Sequence, residues 1–331
     1  MAGIGKRMRP HSLTIPKPLI PVAGKPIVEH LVEDIVHVIK ESVSEIAFVI
    51  GEFGTQVEEQ LLRIAECHNI PGKIYYQKEA LGTAHAVQCA ADSLSGKIIV
   101  AFADTLFKYD KKVDINMDSG IFVQKVDNPS SYGVVKVDKN NIISGFVEKP
   151  KEFVSDLAII GIYYFREGET LKQEIQYLLD HNLRGNNEFQ LTDALCNMKD
   201  KGMRFHAVAV EEWYDCGNKE KTLTTNQKVL QNKFPGNIIA ESAEIDNSRI
   251  IAPCCIREDV KIRNSVIGPY VSIGTGTIIE RVIAENCIIQ ADSSVTGKVI
   301  KNSMIGQKVT IFSEPDSLNI GDYNEINENP G

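Results

Sequence analysis

The chain opens Ala2-Gly3-Ile4-Gly5-Lys6-Arg7-Met8-Arg9-Pro10. Two glycines flanking one residue, followed at once by basic side chains, suit a loop whose backbone amides approach phosphates while arginine supplies charge. The spacing is not that of a dinucleotide fingerprint, since Met8 stands where a third glycine belongs. A Walker loop is also ruled out, because Gly-Lys-Ser/Thr is missing. Downstream, Pro16-Lys17-Pro18 holds a lysine between two residues of fixed φ, which would pin its ammonium in place. Taken alone, that segment also fits a stiff surface loop with a solvated lysine. Lys6, Arg7, Arg9, Lys17 and Lys25 all precede the first acid, Glu29, in a protein of net charge −8. A basic, glycine-bearing start on an acidic protein points to a local anion site rather than a global one.

Such a site needs elements to carry it. Ile27, Val28, Leu31, Val32, Ile35 and Val36 recur at helical spacing. The apolar run Ile46 to Ile50, closed by Gly51, reads as a buried strand. Val57, Leu61, Leu62 and Ile64 mark a second helix, Lys73–Gln77 a strand, Thr83–Leu94 a helix, and Ile98–Phe102 a strand that leads into Asp104. This alternation is the signature of a parallel sheet with helices on both faces. Ligands in such sheets sit at the carboxyl ends of the strands, which is where Asp104 falls. Tyr132–Val137 and Ile142–Val147 read as a hairpin, Ile159–Phe165 and Phe205–Val210 as strands, with helices over about 168–180 and 189–200.

After Phe234-Pro235-Gly236 the character changes: residues 237–312 carry no helical pattern and are rich in Ile, Val, Gly, Asn and Ser. Asn264-Ser-Val-Ile-Gly-Pro-Tyr-Val-Ser-Ile273 recurs as Asn302-Ser-Met-Ile-Gly-Gln-Lys-Val-Thr-Ile311, and more loosely over Asn247–Ile256. Aliphatics six residues apart, as in Ile256 and Ile262, fit a hexapeptide-repeat β-helix. One coil cannot bury its apolar side alone, so several must stack, about four coils of eighteen residues over this length. The expected domains are therefore 1–230, a repeat domain 237–312, and a tail 313–331 whose Glu314, Asp316, Asp322, Glu325 and Glu328 face no Lys or Arg.

Composition bounds the rest. At 331 residues, 43% hydrophobic and 24% charged, the chain has the profile of a soluble globular protein of about two domains. No apolar stretch reaches the length of a membrane span. The cysteines, at 67, 89, 196, 216, 254, 255 and 287, form no Cys-x-x-Cys pair and are odd in number. They read as reduced thiols of a cytoplasmic protein. The charge disfavours nucleic acid as a partner.

Eight motifs fall in one order: the glycine loop, Pro16-Lys-Pro-Leu-Ile-Pro-Val, Leu81-Gly-Thr-Ala-His, Phe102-Ala-Asp104, Tyr132-Gly-Val-Val, Val147-Glu-Lys-Pro150, Gly161-Ile-Tyr and Trp213-Tyr-Asp-Cys-Gly217. Together they resemble the motif series of the sugar-1-phosphate nucleotidylyltransferases, over essentially all of residues 1–225. The repeat domain resembles the left-handed parallel β-helix that many members carry. The resemblance implies a Rossmann-like α/β fold with a mostly parallel sheet. It also implies transfer of a nucleotidyl group from a nucleoside triphosphate to a sugar 1-phosphate, with release of pyrophosphate.

The resemblance assigns roles residue by residue. Arg7 and Lys17 are the catalytic cations, Lys17 over the α-phosphate. Ala2, Gly3, Gly5, Gln77, Gly82 and Thr83 hold the nucleotide, with Gln77 and Gly82 reading a pyrimidine edge. Gly133, Glu148 and Lys149 take the sugar phosphate. Asp104 and Asp215 hold Mg²⁺, for which two carboxylates plus substrate phosphate suffice. Ile159 stands where N-acetylhexosamine enzymes tend to have Asn, which favours glucose 1-phosphate, with dTTP or UTP as donor.

Three departures from the family pattern stand out. Lys6 replaces a usual Thr, and Asn218 replaces the Thr that often follows Asp-x-Gly. Family members also place an apolar strand of about half a dozen residues ahead of the glycine loop, in mid-sheet. Here the loop begins at Met1, so the expected fold lacks its first strand, and a form extended upstream is expected to be more stable and more active. As for the β-helix, all seven histidines precede residue 207. An acyltransferase of this architecture would need one there as base, so a bifunctional uridylyltransferase–acetyltransferase is disfavoured. The β-helix reads instead as an assembly or regulatory element, through which the chain is expected to form homo-oligomers. A non-catalytic scaffold subunit is the remaining alternative, one that should have lost Arg7, Lys17, Asp104 or Asp215, all of which are present.

Overall fold

The computed structural model describes residues 5–315 except 40, 186 and 235, together with 317 and 320. Ala2 and Gly3, and all of the acidic tail beyond 315 except Ser317 and Ile320, lie outside the described residues. The chain divides after Lys228 into two compact units.

The first unit is built on a mixed sheet. Helix Ile27–Val38 starts directly after Pro26 and buries Ile27, Val28, Leu31 and Val32, the face that its periodicity predicts. Strand Ile46–Ile50 runs parallel to Gly72–Tyr76, and helix Thr55–Cys67 connects them. The larger sheet is ordered Phe205–Ala209, Ser119–Lys125, Leu157–Phe165, Gly133–Val137, Ile143–Glu148, and strand Ile98–Ala101 pairs with Leu157–Phe165. Its parallel ladder joins Phe205–Ala209 to Ser119–Lys125, and its other ladders are antiparallel. Phe165 and Phe205 meet edge-to-face on one of its faces, over Leu171, Ile175 and Leu195 of the covering helices.

Two features of the first unit stand out. The helix expected over Thr83–Leu94 ends at Gln88 and gives way to a 3₁₀ turn, Ala91–Ser93. The Ser93 hydroxyl bonds with Tyr75 and Glu45 there, side-chain bonds that compete with continued helix. The second concerns the sheet itself. Ile46–Ile50 and Ile98–Ala101 are continuous apolar runs of the kind that occupies mid-sheet, yet each pairs on one side only among the described residues. A cavity of about 850 Å³ lies between them, lined by Phe48 and Val49 of one strand, Ile99 and Val100 of the other, and Leu31 and Val87 of flanking helices. The two strands thus face one cleft, apolar along the strands and charged at Glu41, Glu45, Lys73 and Asp92.

The second unit is a parallel β-solenoid. Asn237, Cys254, Val271, Cys287 and Ser303 stand in one ladder, at successive spacings of 17, 17, 16 and 16 residues. The coils are therefore shorter than the eighteen expected. One side is as short as the two residues Arg249–Ile250 and Val266–Ile267, and single left-handed residues such as Asn247 and Asn264 turn the corners. Asn247 Nδ2 donates to Asn264 Oδ1 at 2.6 Å, and Asn286 Nδ2 to Asn302 Oδ1 at 2.7 Å, so corner stacks on corner. Inside, Ile256, Ile273 and Ile289 form a buried column, and Ile262, Ile279 and Val295 another. These are the aliphatics that the repeat pointed inward.

Candidate active site

The described chain begins at the end of the glycine loop. Gly5 adopts a left-handed conformation (φ 60°), and a Cβ there would lie 3.2 Å from Ser12 Cβ and 3.3 Å from Lys17 Cβ. The Ser12 hydroxyl donates to the Gly5 carbonyl at 2.7 Å and holds the turn. Met8, at the place of the third glycine, is a core anchor, 1% exposed. Arg7 next to it is exposed and forms no ion pair among the described residues, so its guanidinium is available to an anion.

Lys17 is not a solvated lysine. Held in a short 3₁₀ turn by Pro16 and Pro18, it is 8% exposed and its Nζ sits 2.7 Å from Asp104 Oδ2. Asp104 lies between strands Ile98–Ala101 and Thr105–Lys108, three residues past an apolar strand end. Thr105–Lys108 pairs antiparallel with Glu212–Asp215, setting Asp215 opposite Thr105, and Cys216 N–H donates to the Asp104 carbonyl at 3.0 Å. The two carboxylates expected to share a metal are thus carried by neighbouring strand ends. Trp213 Nε1 donates to Thr105 Oγ1 at 2.6 Å, and Thr105 Oγ1 to Ile160 O at 2.9 Å, locking this ribbon to the main sheet. Cys216 is buried between them, and burial pushes its thiol up to about 12, so it is no nucleophile.

Asp215 is held tightly. Its Oδ1 accepts from Gly217 N–H at 2.6 Å, and its Oδ2 from Lys221 Nζ at 2.6 Å and the Tyr132 hydroxyl at 3.4 Å. Lys221 Nζ also donates to Tyr132 Oη at 2.8 Å. Partial burial pulls the Lys221 ammonium down, but the bonds to Asp215 and Tyr132 outweigh it and its pKa is raised. Asn218 is explained here: its Oδ1 accepts from Lys221 N–H at 2.9 Å, as an N-cap does for helix Lys219–Lys233.

The other expected residues form two further groups. Gln77 is 8% exposed, and its Nε2 donates to Gly82 O at 3.0 Å and to His85 Nδ1 at 3.1 Å. Gly82 has φ +123° and runs against Phe189: a Cβ there would come within 2.5 Å of Phe189 O and 2.6 Å of Phe189 N. Thr83 Oγ1 accepts from Leu191 N–H at 2.9 Å. Gly82 and Thr83 therefore clamp the 189–191 segment, a structural reason for their identity beside the expected nucleotide contact. Gly133 and Glu148 are ladder partners, with Glu148 Oε2 3.0 Å from where a Gly133 Cβ would be and 3.2 Å from Thr192 Oγ1. Lys149, at φ 43°, extends outward, its Nζ 3.3 Å from Glu148 Oε1.

Sequence reasoning passed over Lys221, Thr192 and Asp193. Burial raises the carboxyl of Asp193, opposed by the Gly185 amide and aided by Glu148. A lysine in a helix first turn, set against the helix dipole, is the signal that could have marked Lys221. Thr192 and Asp193 carried no spacing that could have marked them. Chemically, a pair of hard carboxylate donors, each beside a lysine, on the chain whose glycine loop carries an exposed arginine is suited to polyphosphate and a divalent cation.

A family model described as nucleotidyl transferase matches residues 1–232. The low-salt glycan biosynthesis nucleotidyltransferase Agl11 of Haloferax volcanii is 31% identical over an alignment that covers 99% of this chain and 96% of that protein. A glucose-1-phosphate thymidylyltransferase of Streptomyces antibioticus is 28% identical, covering 98% and 97%. Among solved structures, a UDP-glucose pyrophosphorylase complexed with UDP-glucose has the same fold, with a TM-score of 0.59 at 23% identity, covering 70% of this chain and 96% of that one. With its model matched across the whole first unit, this chain belongs to the nucleotidyl transferase family.

Proposed function

We propose that the protein joins a hexose 1-phosphate to the α-phosphate of a nucleoside triphosphate. An oxygen of the sugar phosphate forms the new bond to the α-phosphorus, the α–β phosphoanhydride breaks, and pyrophosphate leaves with its electron pair. dTTP or UTP is the favoured donor and glucose 1-phosphate the favoured acceptor, a choice supported by Ile159 and by the relatives named glucose-1-phosphate thymidylyltransferase. The observation that carries this reading is the meeting of Lys17 with Asp104, 87 residues apart in sequence, at the strand ends that also carry Asp215.

Phosphoryl chemistry of this kind asks for positioning and charge neutralisation more than for a protein base. Arg7 and the loop amides near Gly5 hold the triphosphate. Lys17 transfers its ammonium from Asp104 to the α-phosphate as charge builds there. Asp104 and Asp215 fit Mg²⁺ by donor chemistry, since they supply hard anionic oxygens and leave the remaining positions to phosphate and water. Bound there, Mg²⁺ would neutralise phosphate charge. Gln77 and the Gly82 backbone border the base, while Gly133, Glu148 and Lys149 border the sugar phosphate. The solenoid holds no histidine, so the acetyl-transfer alternative has no base there; we assign it to assembly of homo-oligomers.

Pyrophosphate release from a panel of the common triphosphates with glucose, galactose and N-acetylglucosamine 1-phosphates tests the reading. Turnover with a pyrimidine triphosphate and glucose 1-phosphate supports it. No pyrophosphate from any pair contradicts it and favours a scaffold subunit.

A further inference from the structure

Lys221 is placed where local physics disfavours it. It lies in the first turn of helix Lys219–Lys233, the end at which the helix dipole repels cations. Yet its Nζ is committed to three groups: Asp215 Oδ2 at 2.6 Å, Tyr132 Oη at 2.8 Å, and the Tyr132 ring face with its centroid at 5.2 Å. Tyr132 itself is braced edge-to-face on Trp213 at 4.8 Å and leads directly into Gly133. The other candidate metal carboxylate, Asp104, has its own lysine partner in Lys17. Each carboxylate therefore carries an ammonium at one of its two oxygens.

The two lysines differ in what they can do next. Lys17 is 8% exposed in a rigid 3₁₀ turn beside the glycine loop, and it can exchange Asp104 for a nucleotide phosphate without leaving the site. Lys221 has a second resting place already made: the hydroxyl and ring face of Tyr132, which hold it when Asp215 is taken.

We infer that Lys221 is a positioning residue that occupies the divalent-cation seat on Asp215 in the free protein, so that the cation binds in competition with it. The cation is then retained chiefly with nucleotide, whose phosphates compensate the charge that Lys221 and Lys17 otherwise supply. Empty enzyme holds metal weakly, and metal and triphosphate enter together. This rests on the reading of Asp104 and Asp215 as metal ligands given above.

The test is Mn²⁺ binding, read by electron paramagnetic resonance of the free ion, for the full chain without nucleotide. Lys221→Met removes the competing charge while keeping the stem. It is expected to tighten Mn²⁺ binding by about tenfold or more, the scale of one hydrogen bond to a charged group. Adding Asp215→Asn to that variant should remove the gain. With a non-hydrolysable triphosphate present, the wild-type and Lys221→Met affinities should converge to within about threefold. Unchanged or weaker Mn²⁺ binding by a folded Lys221→Met protein overturns the inference, as does a gain that survives Asp215→Asn. Should Lys221→Met fail to fold, Lys221→Gln serves, judged by the same outcomes. Pyrophosphate release separates this from the proposed reaction: an Asp215-dependent gain in a protein without transferase activity leaves the inference standing and sinks the reaction. Transfer with an unchanged Mn²⁺ affinity does the reverse.

Discussion

Gly82→Ala is the substitution whose cost the structure sets most directly. The residue sits at φ +123° and ψ 177°, a region that L-residues enter at a cost of about 1–3 kcal/mol. An added Cβ would also lie 2.5 Å from Phe189 O, 2.6 Å from its N and 2.9 Å from its C, all backbone atoms that no side-chain rotation can relieve. The backbone must part, and with it the bonds from Phe189 N–H to Leu81 O (2.8 Å) and from Ala84 N–H to Phe189 O (2.9 Å), each worth about 1 kcal/mol. The sum is about 3–5 kcal/mol, or a melting temperature lower by about 6–20 °C for a unit of this size. Because Gln77 Nε2 is bonded to Gly82 O, the nucleotide KM should rise with it. Gly145→Ala is the control: nothing lies within 4 Å of its Cβ, so it should melt within about 0.5 kcal/mol of the parent. The assay is urea unfolding of both variants with KM for the nucleotide. A Gly82→Ala protein as stable as Gly145→Ala refutes the close-approach argument. A destabilised one with unchanged KM refutes the link to the base site.

Other expectations are smaller or rest on other regions. Burial alone would lift the Glu45 carboxyl, but bonds from Lys73 and Ser93 outweigh it and hold it below the usual range. Its contribution is full above the unfolded pKa of about 4.3 and is lost as pH falls through the lower folded value. Glu45→Gln should therefore lower stability at pH 7 by under about 1 kcal/mol and flatten the acid limb of the stability curve below about pH 4.5; an unchanged acid limb contradicts this. In the solenoid, Ile279→Ala removes a side chain that is 0% exposed and should cost about 2–5 kcal/mol by urea unfolding of the repeat domain. A loss under about 1 kcal/mol would place Ile279 outside the stacked core.

How far the sequence reaches depends on whether its signal is periodic or local. The solenoid was legible because every coil repeats the same demand, one inward aliphatic and a tight corner, so Ile256, Ile273 and Ile289 announce one another. Helix Ile27–Val38 was legible for the same reason. The Thr105–Lys108 and Glu212–Asp215 ribbon was not, since two four-residue strands 107 residues apart carry no period, and helix Lys219–Lys233 is polar on most faces. At the site, Lys17 and Asp104 were each marked by their surroundings, prolines for one and a strand end for the other. Their contact is a tertiary fact. Gly82 shows the limit in the other direction: the sequence marked it only through its motif, and the neighbour that requires a glycine there, Phe189, is 107 residues away.

The central claim is that this chain moves a nucleotidyl group through a site made by Lys17, Asp104 and Asp215. The direct measurement follows label from an α-³²P pyrimidine triphosphate with glucose 1-phosphate, with Mg²⁺, in the parent, Asp104→Ala and Asp215→Ala proteins. Labelled nucleotide sugar and an equal amount of pyrophosphate are expected from the parent. A loss of at least about a hundredfold is expected in each variant with the fold retained. No labelled product from the parent, or full transfer by either folded variant, would contradict it.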